Sequence, residues 1–170
     1  MTSDHPLIFS PQIFSTECIT KRRQEAIRGG EAILHISYDD DNAESAMPVG
    51  LSMSKFNQTE AMMVVELLSS SQISCRGKSV MVITFYKDMM KLLVQLAEDA
   101  GFNCNKPGST LRIVTVDSAQ GSEADVVVLS SVRSNMQHYM GFLSNTNRMC
   151  VAVSRAKERL VIVGHGDTLR

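Results

Sequence analysis

Residues 111–135 read LRIVTVDSAQGSEADVVVLSSVRSN, and residues 141–165 read GFLSNTNRMCVAVSRAKERLVIVGH. In the first stretch two apolar runs, Leu111–Val116 and Val126–Val132, bracket a polar block from Asp117 to Asp125. In the second, a mixed block through Lys157 precedes the apolar run Leu160–Val163. Short, nearly continuous runs of β-branched residues mark strands buried on both faces, as in parallel sheets. Polar groups at the end of such a strand lie where an open α/β sheet usually meets its ligand.

Working outward, Val80–Phe85 (VMVITF) is a further buried strand, and Ala32–Ser37 (AILHIS) a short one that carries the lone His35. Asn57 begins a helix: its side chain can accept from the third helical amide, and Glu60 at that position makes a capping-box-like pair. Ala61, Val64, Val65 and Leu68 recur on one face, and Ser69–Ser71 end the helix. Asp88 is placed to cap a second helix with the stripe Met89, Leu92, Leu93, Leu96, Ala97 and Ala100, stopped by Gly101. Asn145 or Thr146 can begin a third, running through Lys157. Strands alternating with helices predict an α/β fold, a mostly parallel sheet flanked by helices. Residues 1–30, interrupted by Pro6 and Pro11, read as an arm packed on a domain of residues 31–170.

Seventeen basic residues stand against 18 acidic ones in 170, a net charge of −1. Binding to nucleic acid must therefore come from a local patch. The triplet Lys21-Arg22-Arg23 reads as solvated surface. Cys18, Cys75, Cys104 and Cys150 are scattered without a CxxC pair or zinc spacing, so they read as reduced thiols of a cytoplasmic or nuclear protein. No apolar run approaches the ~20 residues that span a bilayer, so no membrane partner is expected. Asp39-Asp40-Asp41-Asn42 with Glu44 fails the EF-hand pattern, because Glu44 and Gly50 occupy the positions of the required glycine and glutamate. That segment reads as a loop extending to about Lys55. Gly77-Lys78-Ser79 resembles the tail of a phosphate-binding P-loop, but Gln72 replaces the opening glycine and a strand follows where a helix is needed.

The polar block offers Asp117, Ser118, Gln120, Ser122, Glu123 and Asp125 around Gly121, whose backbone can turn tightly or approach a partner. Gln120 donates and accepts, so it can position a water or bridge a phosphate; Glu123 accepts only and suits a ribose hydroxyl. The same residues also suit a loop that caps its own backbone. On a helix Arg148 and Arg155 are two turns apart and can share a face. Arg155, between small and apolar neighbours, reads as partly buried, and a buried arginine needs an anion, either a structural carboxylate or a ligand phosphate.

Taken together, VDSAQGSEADVVVLSSVRSN and GFLSNTNRMCVAVSRAKERLVIVG resemble the C-terminal RecA-like domain of superfamily 1 helicases, in the nonsense-mediated-decay and Senataxin branch. That family reads VDxFQGxExD, then SxVRxN, GFL and RxNVAxTRA. SKFNQTEA at 54–61 and VITFYK at 82–87 are also similar to upstream motifs, and the likeness runs from about His5 to the end. It implies that Gln120 and Gly121 couple nucleotide state to strand grip, and that Glu123 lies near the ribose. It further implies that Arg155 is an arginine finger on the γ-phosphate of ATP, and that Asp117 and Ser118 lie at the nucleic-acid backbone. Arg133 and Asn135 match VRxN and support the site. The implied partners are single-stranded RNA or DNA and a first RecA-like domain, in cis or in trans.

This sequence departs from the pattern at Ala119 (phenylalanine in the family), Cys150 (asparagine) and Ser154 (threonine). Ser3-Asp4-His5-Pro6 stands where the family has Tyr-Arg-x-His-Pro, so the tyrosine and arginine that would clamp the nucleotide are absent from that motif. No Walker A lysine or Walker B carboxylate is read in the chain. ATP with Mg2+ therefore implies a first domain, and the isolated chain is expected to lack ATPase activity. The alternative is a catalytically silent nucleic-acid- or protein-binding module derived from such a helicase.

Overall fold

The computed structural model describes residues 33–38, 44–46, 54–69, 77–137 and 139–169. The expected arm at 1–30, the basic triplet and the acidic run at 39–42 lie outside them.

Among the described residues the main sheet has five strands in the order β1-β7-β6-β4-β5. They are β1 (Ile33–Tyr38), β4 (Val80–Thr84), β5 (Leu111–Thr115), β6 (Ala124–Ser130) and β7 (Ala156–His165). Every neighbouring pair is parallel. Strand β4 is buried at every position, as its unbroken apolar run predicts, whereas β5 at the edge exposes Arg112. Two short strands, β2 (Glu44–Ala46) and β3 (Lys55–Asn57), pair antiparallel beside the sheet. Glu44 was expected inside a loop reaching Lys55. It instead forms an ion pair with Lys55 at 3.1 Å and is anchored to Arg133. That long-range partner has no local signature.

Helix α1 (Gln58–Ser69) is capped as predicted, Asn57 Oδ1 accepting from the Glu60 amide at 2.9 Å. The return half of the capping box is missing, because the Glu60 side chain turns into the core, fully buried. Helix α2 (Lys87–Asp99) buries Met89, Leu93 and Ala97, half-buries Leu92 and Leu96, and leaves Ala100 exposed. Asp88 is not its cap. It lies inside the first turn, where a carboxylate favours the helix dipole, and its amide donates to Ser54 Oγ at 3.0 Å. Gly101 closes α2 at φ +87°, its amide donating to Glu98 O.

Helix α3 (Thr146–Ser154) stops before Lys157. Strand β7 begins at Ala156 because the sheet claims the backbone there: Ala124 N donates to Arg155 O at 3.1 Å, and Ala124 pairs with Ala156. The exposed Lys157, Glu158 and Arg159 hid that first turn of strand from a reading by hydropathy. Gly77-Lys78-Ser79 is a turn leading into β4, with Gly77 at φ +74° and Lys78 paired to Glu158. That is not P-loop geometry. Cys104 is a free, buried thiol, whereas Cys150 is disulfide-bonded rather than reduced as its spacing implied. Among the described residues no helix is long and apolar enough to cross a membrane.

Candidate functional site

Both motif blocks run back across the sheet from its carboxyl edge to its amino edge. Strand β5 ends at Thr115, level with Thr84, and β6 begins at Ala124, level with the start of β7. Residues 116–123 therefore cross from one edge to the other. Helix α3 makes the same journey between the loop after β6 and the start of β7. The crossover and the helix are tied at both ends by the two arginines. Arg148 Nη2 donates to Asp117 Oδ2 at 3.2 Å, and Arg155 Nη1 donates to Ser122 O at 3.2 Å. The spacing of two helical turns read from sequence thus spans the whole crossover.

The crossover winds tightly. Ala119 N donates to Thr115 O at 3.0 Å, Ser122 N donates to Ala119 O at 3.0 Å, and Gly121 sits between at φ +77°. A Cβ at Gly121 would meet nothing, so the backbone angle, not crowding, calls for glycine there. Ala119 is fully buried, seating the crossover on the core, while Gln120, Gly121 and Glu123 face solvent.

At the amino edge Arg155 is half-buried at the end of α3. Nε donates to Val151 O at 3.0 Å, Nη2 to Ser154 Oγ at 2.9 Å, and Nη1 to Ser122 O. All these acceptors are neutral, and among the described residues Arg155 has no ion pair. The structural carboxylate that could have explained it is not at its side. Nearby Asp125 accepts from Ser79 N and Oγ, both at 2.8 Å. Those hydrogen bonds, the backbone one first, hold its carboxyl below the usual range. Asp125 therefore belongs to the seam between the starts of β4 and β6.

At the carboxyl edge Asp117 is exposed and paired with Arg148, and Ser118 Oγ accepts from Thr115 Oγ1 at 3.1 Å. Behind them lies a feature that the sequence reading missed. Glu60 accepts from Ser130 Oγ, from Val132 N at 2.9 Å, from Tyr38 Oη at 2.9 Å and from Ser131 Oγ at 3.4 Å. Burial pushes its carboxyl up to about 7 against those four donors, and burial beside Glu60 also raises the Tyr38 phenol. Asn57 completes the clamp, donating to Val132 O at 3.1 Å and to Tyr38. Val132 is held at φ +68°, a costly angle for a β-branched residue, and surrounding bonds must over-determine it. That bend aims Arg133 and Asn135 at Glu44. Arg133 Nε lies 3.0 Å from Glu44 Oε2, an ion pair without hydrogen-bond alignment, and Asn135 Nδ2 donates to the same oxygen at 3.2 Å. The only sequence signal for the hub was Glu60 at the third position of α1, and it pointed to a cap.

The structure thus brings Gln120, Gly121, Glu123 and Arg155 towards one edge and leaves Asp117 and Ser118 at the other.

A family model described as AAA domain matches residues 7–167. The chain is 35% identical over 122 residues to Helicase required for RNAi-mediated heterochromatin assembly 1 of Schizosaccharomyces pombe, a match covering 67% of this chain and 11% of that protein. It is 34% identical over 117 residues to a Regulator of nonsense transcripts 1 homolog of Neurospora crassa, covering 68% and 11%. The chain therefore spans about a tenth of the length of these curated relatives, 11% in each case. Among solved structures, the C-terminal domain of a possible DNA helicase from Lactobacillus plantarum WCFS1 superposes with a TM-score of 0.52 at 15% identity. That superposition covers 89% of this chain and 86% of the other, and it speaks for the fold alone.

Proposed function

The chain belongs to the AAA domain family as a C-terminal RecA-like domain of superfamily 1 helicases, in the nonsense-mediated-decay and Senataxin branch, and from that premise we propose that it is the second half of an ATP-driven motor on RNA or DNA. A first RecA-like domain, in cis or in trans, supplies the other wall of the nucleotide cleft. The amino edge of this sheet faces that cleft. The described residues hold no group of three His, Cys, Asp or Glu side chains suited to a metal ion. In this reading Mg2+ and the phosphate-binding lysine belong to the first domain, where a motor of this kind carries its Walker A and Walker B residues.

The observation that carries this reading is Arg155. Its guanidinium is oriented by neutral oxygens and meets no carboxylate among the described residues. Among the described residues each of its two Nη atoms keeps an N–H without an acceptor, and such a preorganised cation stabilises charge developing on a transferring phosphoryl group. Gln120 and Gly121, in the crossover that Arg155 grips, link the phosphate to the nucleic-acid side. Glu123, exposed beside Ser122, accepts from a ribose hydroxyl. Asp117 and Ser118, at the opposite end of the crossover, lie at the single strand.

The test joins this chain to a first RecA-like domain and measures phosphate release with a single strand present. Arg155→Ala lowers turnover by about 10³-fold or more. Arg155→Lys restores only part, because an ammonium lacks the planar fork. Unchanged turnover in Arg155→Ala overturns the arginine-finger role. A joined protein that binds single strands but never turns over ATP favours the silent binding module instead.

A further inference from the structure

The carboxyl edge carries an exposed cation and two exposed rings that the motor roles above do not use. Arg148 lies in the first turn of α3 with its side chain 34% exposed, and Asp117, its ion-pair partner, is 67% exposed. Arg148 Cζ stands 5.1 Å from the centroid of Phe142, whose other neighbour is the buried Tyr86 ring at 5.3 Å and 35°. Beside it Arg133 Cζ lies 5.3 Å from the Tyr139 ring. Tyr139 is pinned through its backbone: its amide donates to Asn135 Oδ1 at 2.9 Å, and its carbonyl accepts from Asn135 Nδ2 at 3.1 Å. Phe142 is 42% exposed and Tyr139 67%. The two ring pairs meet at Gly141, where a Cβ would come 2.9 Å from Tyr86 Oη and 3.1 Å from Arg133 Nη1. Only glycine lets the loop pass there.

These rings are exposed and yet fixed, each set by a buried neighbour. A fixed ring that stays partly exposed beside a cation is a platform for a nucleobase. The Arg148 guanidinium beside them rests on an exposed carboxylate. Such a surface pair is worth little and is screened by salt, whereas a phosphate takes the guanidinium fork through two parallel hydrogen bonds. Asp117 has the wrong sign to meet a phosphate itself.

We propose that Arg148, Phe142 and Tyr139 form a nucleotide subsite for single-stranded nucleic acid, with the guanidinium on a phosphate and the rings on bases. Asp117 is the resting partner that the phosphate displaces, so it restrains binding instead of making it. This rests on the nucleic-acid half of the motor reading and reassigns the contact within it.

The experiment titrates labelled oligo-dT and oligo-U with the 170-residue chain over a range of salt. Arg148→Ala weakens binding and reduces the salt slope by about 0.7, the share of one phosphate on a single strand. Lys106→Ala removes the same charge from a surface pair with Glu98 and leaves the slope unchanged. Asp117→Asn, at an exposed site that does not threaten folding, raises affinity. Phe142→Ala and Tyr139→Ala each weaken binding about ten-fold at every salt concentration without changing the slope. An unchanged slope in Arg148→Ala, or weaker binding by Asp117→Asn, overturns the subsite while the motor reading stands. Binding indifferent to both ring substitutions overturns the stacking and leaves that face to a protein partner. Failure of the unsubstituted chain to bind any single strand overturns the nucleic-acid half of the motor reading, and the subsite with it.

Discussion

Glu60 and Arg155, an acid and a base, lie at opposite edges of one sheet, and among the described residues each is met by neutral partners alone. Glu60 is completely enclosed, and its oxygens are occupied by three hydroxyls and an amide. Arg155 is only half-buried, and among the described residues donors remain on its guanidinium. A charge sealed among neutral dipoles fixes structure, because it has no capacity left and a high desolvation cost if disturbed. A charge held by neutral dipoles but open on one side is aimed and still available. The carboxyl-edge hub is therefore where this fold stores stability, and the amino-edge arginine is where it keeps reactivity in reserve.

The largest effect separates the two directly. Arg155→Ala in a joined two-domain protein costs turnover about 10³-fold, near 4 kcal/mol of transition-state stabilisation, while the chain's unfolding free energy from urea melts changes by ~1 kcal/mol or less. Glu60→Ala does the reverse. It strands the Val132 amide and several hydroxyls in the core and lowers unfolding free energy by ~3 kcal/mol or more. Comparable stability losses from both substitutions would erase the distinction.

Titration sharpens it further. With the Glu60 carboxyl at about 7 in the folded chain against an ordinary 4.5, the folded state binds the proton more tightly than the unfolded one. Its contribution is then complete below about 4.5 and is lost as pH rises through 7, by up to ~3 kcal/mol. Glu60→Gln, in which the hydroxyls can turn to accept from the new amide, removes that slope in urea melts at stepped pH. A slope that survives in Glu60→Gln places its origin elsewhere. Asp125 has the opposite sign: its carboxyl is held below an ordinary 3.8, so its contribution is present above that value and fades only at lower pH. Asp125→Asn is the smallest expected change, about 1 kcal/mol of stability at neutral pH, read from the same melts.

Much of this was legible in the chain. Val80–Thr84, Leu111–Thr115 and Ala124–Ser130 announce themselves as strands, and Asn57, Gly101 and Asn145 mark helix ends as read. Misreadings fall where a distant residue outbids a local one. Glu60 fits a capping box by spacing, but hydroxyls on β1 and after β6 draw it inward. Glu44 sits in an acidic stretch, yet Arg133 and Lys55 recruit it into a strand. Ala156 and Lys157 look like the tail of a helix, yet pairing with β6 at Ala156 and Arg159 draws that segment into a strand.

The sequence by itself determined the apolar cores of the five strands of the main sheet, which side chains crowd the two polar blocks, and that Arg148 and Arg155 can share a helix face. Those properties follow from periodicity and from chemistry between near neighbours, which every short segment carries with it. Only the tertiary structure decided that the two blocks lie side by side, that Asp117 answers Arg148 while Arg155 meets no carboxylate among the described residues, and that a buried glutamate bends the chain at Val132. Those facts depend on strand order, since the crossover from β5 to β6 passes β4 and so carries one motif from edge to edge. Strand order is settled by long-range pairing, and no local window of the chain contains it.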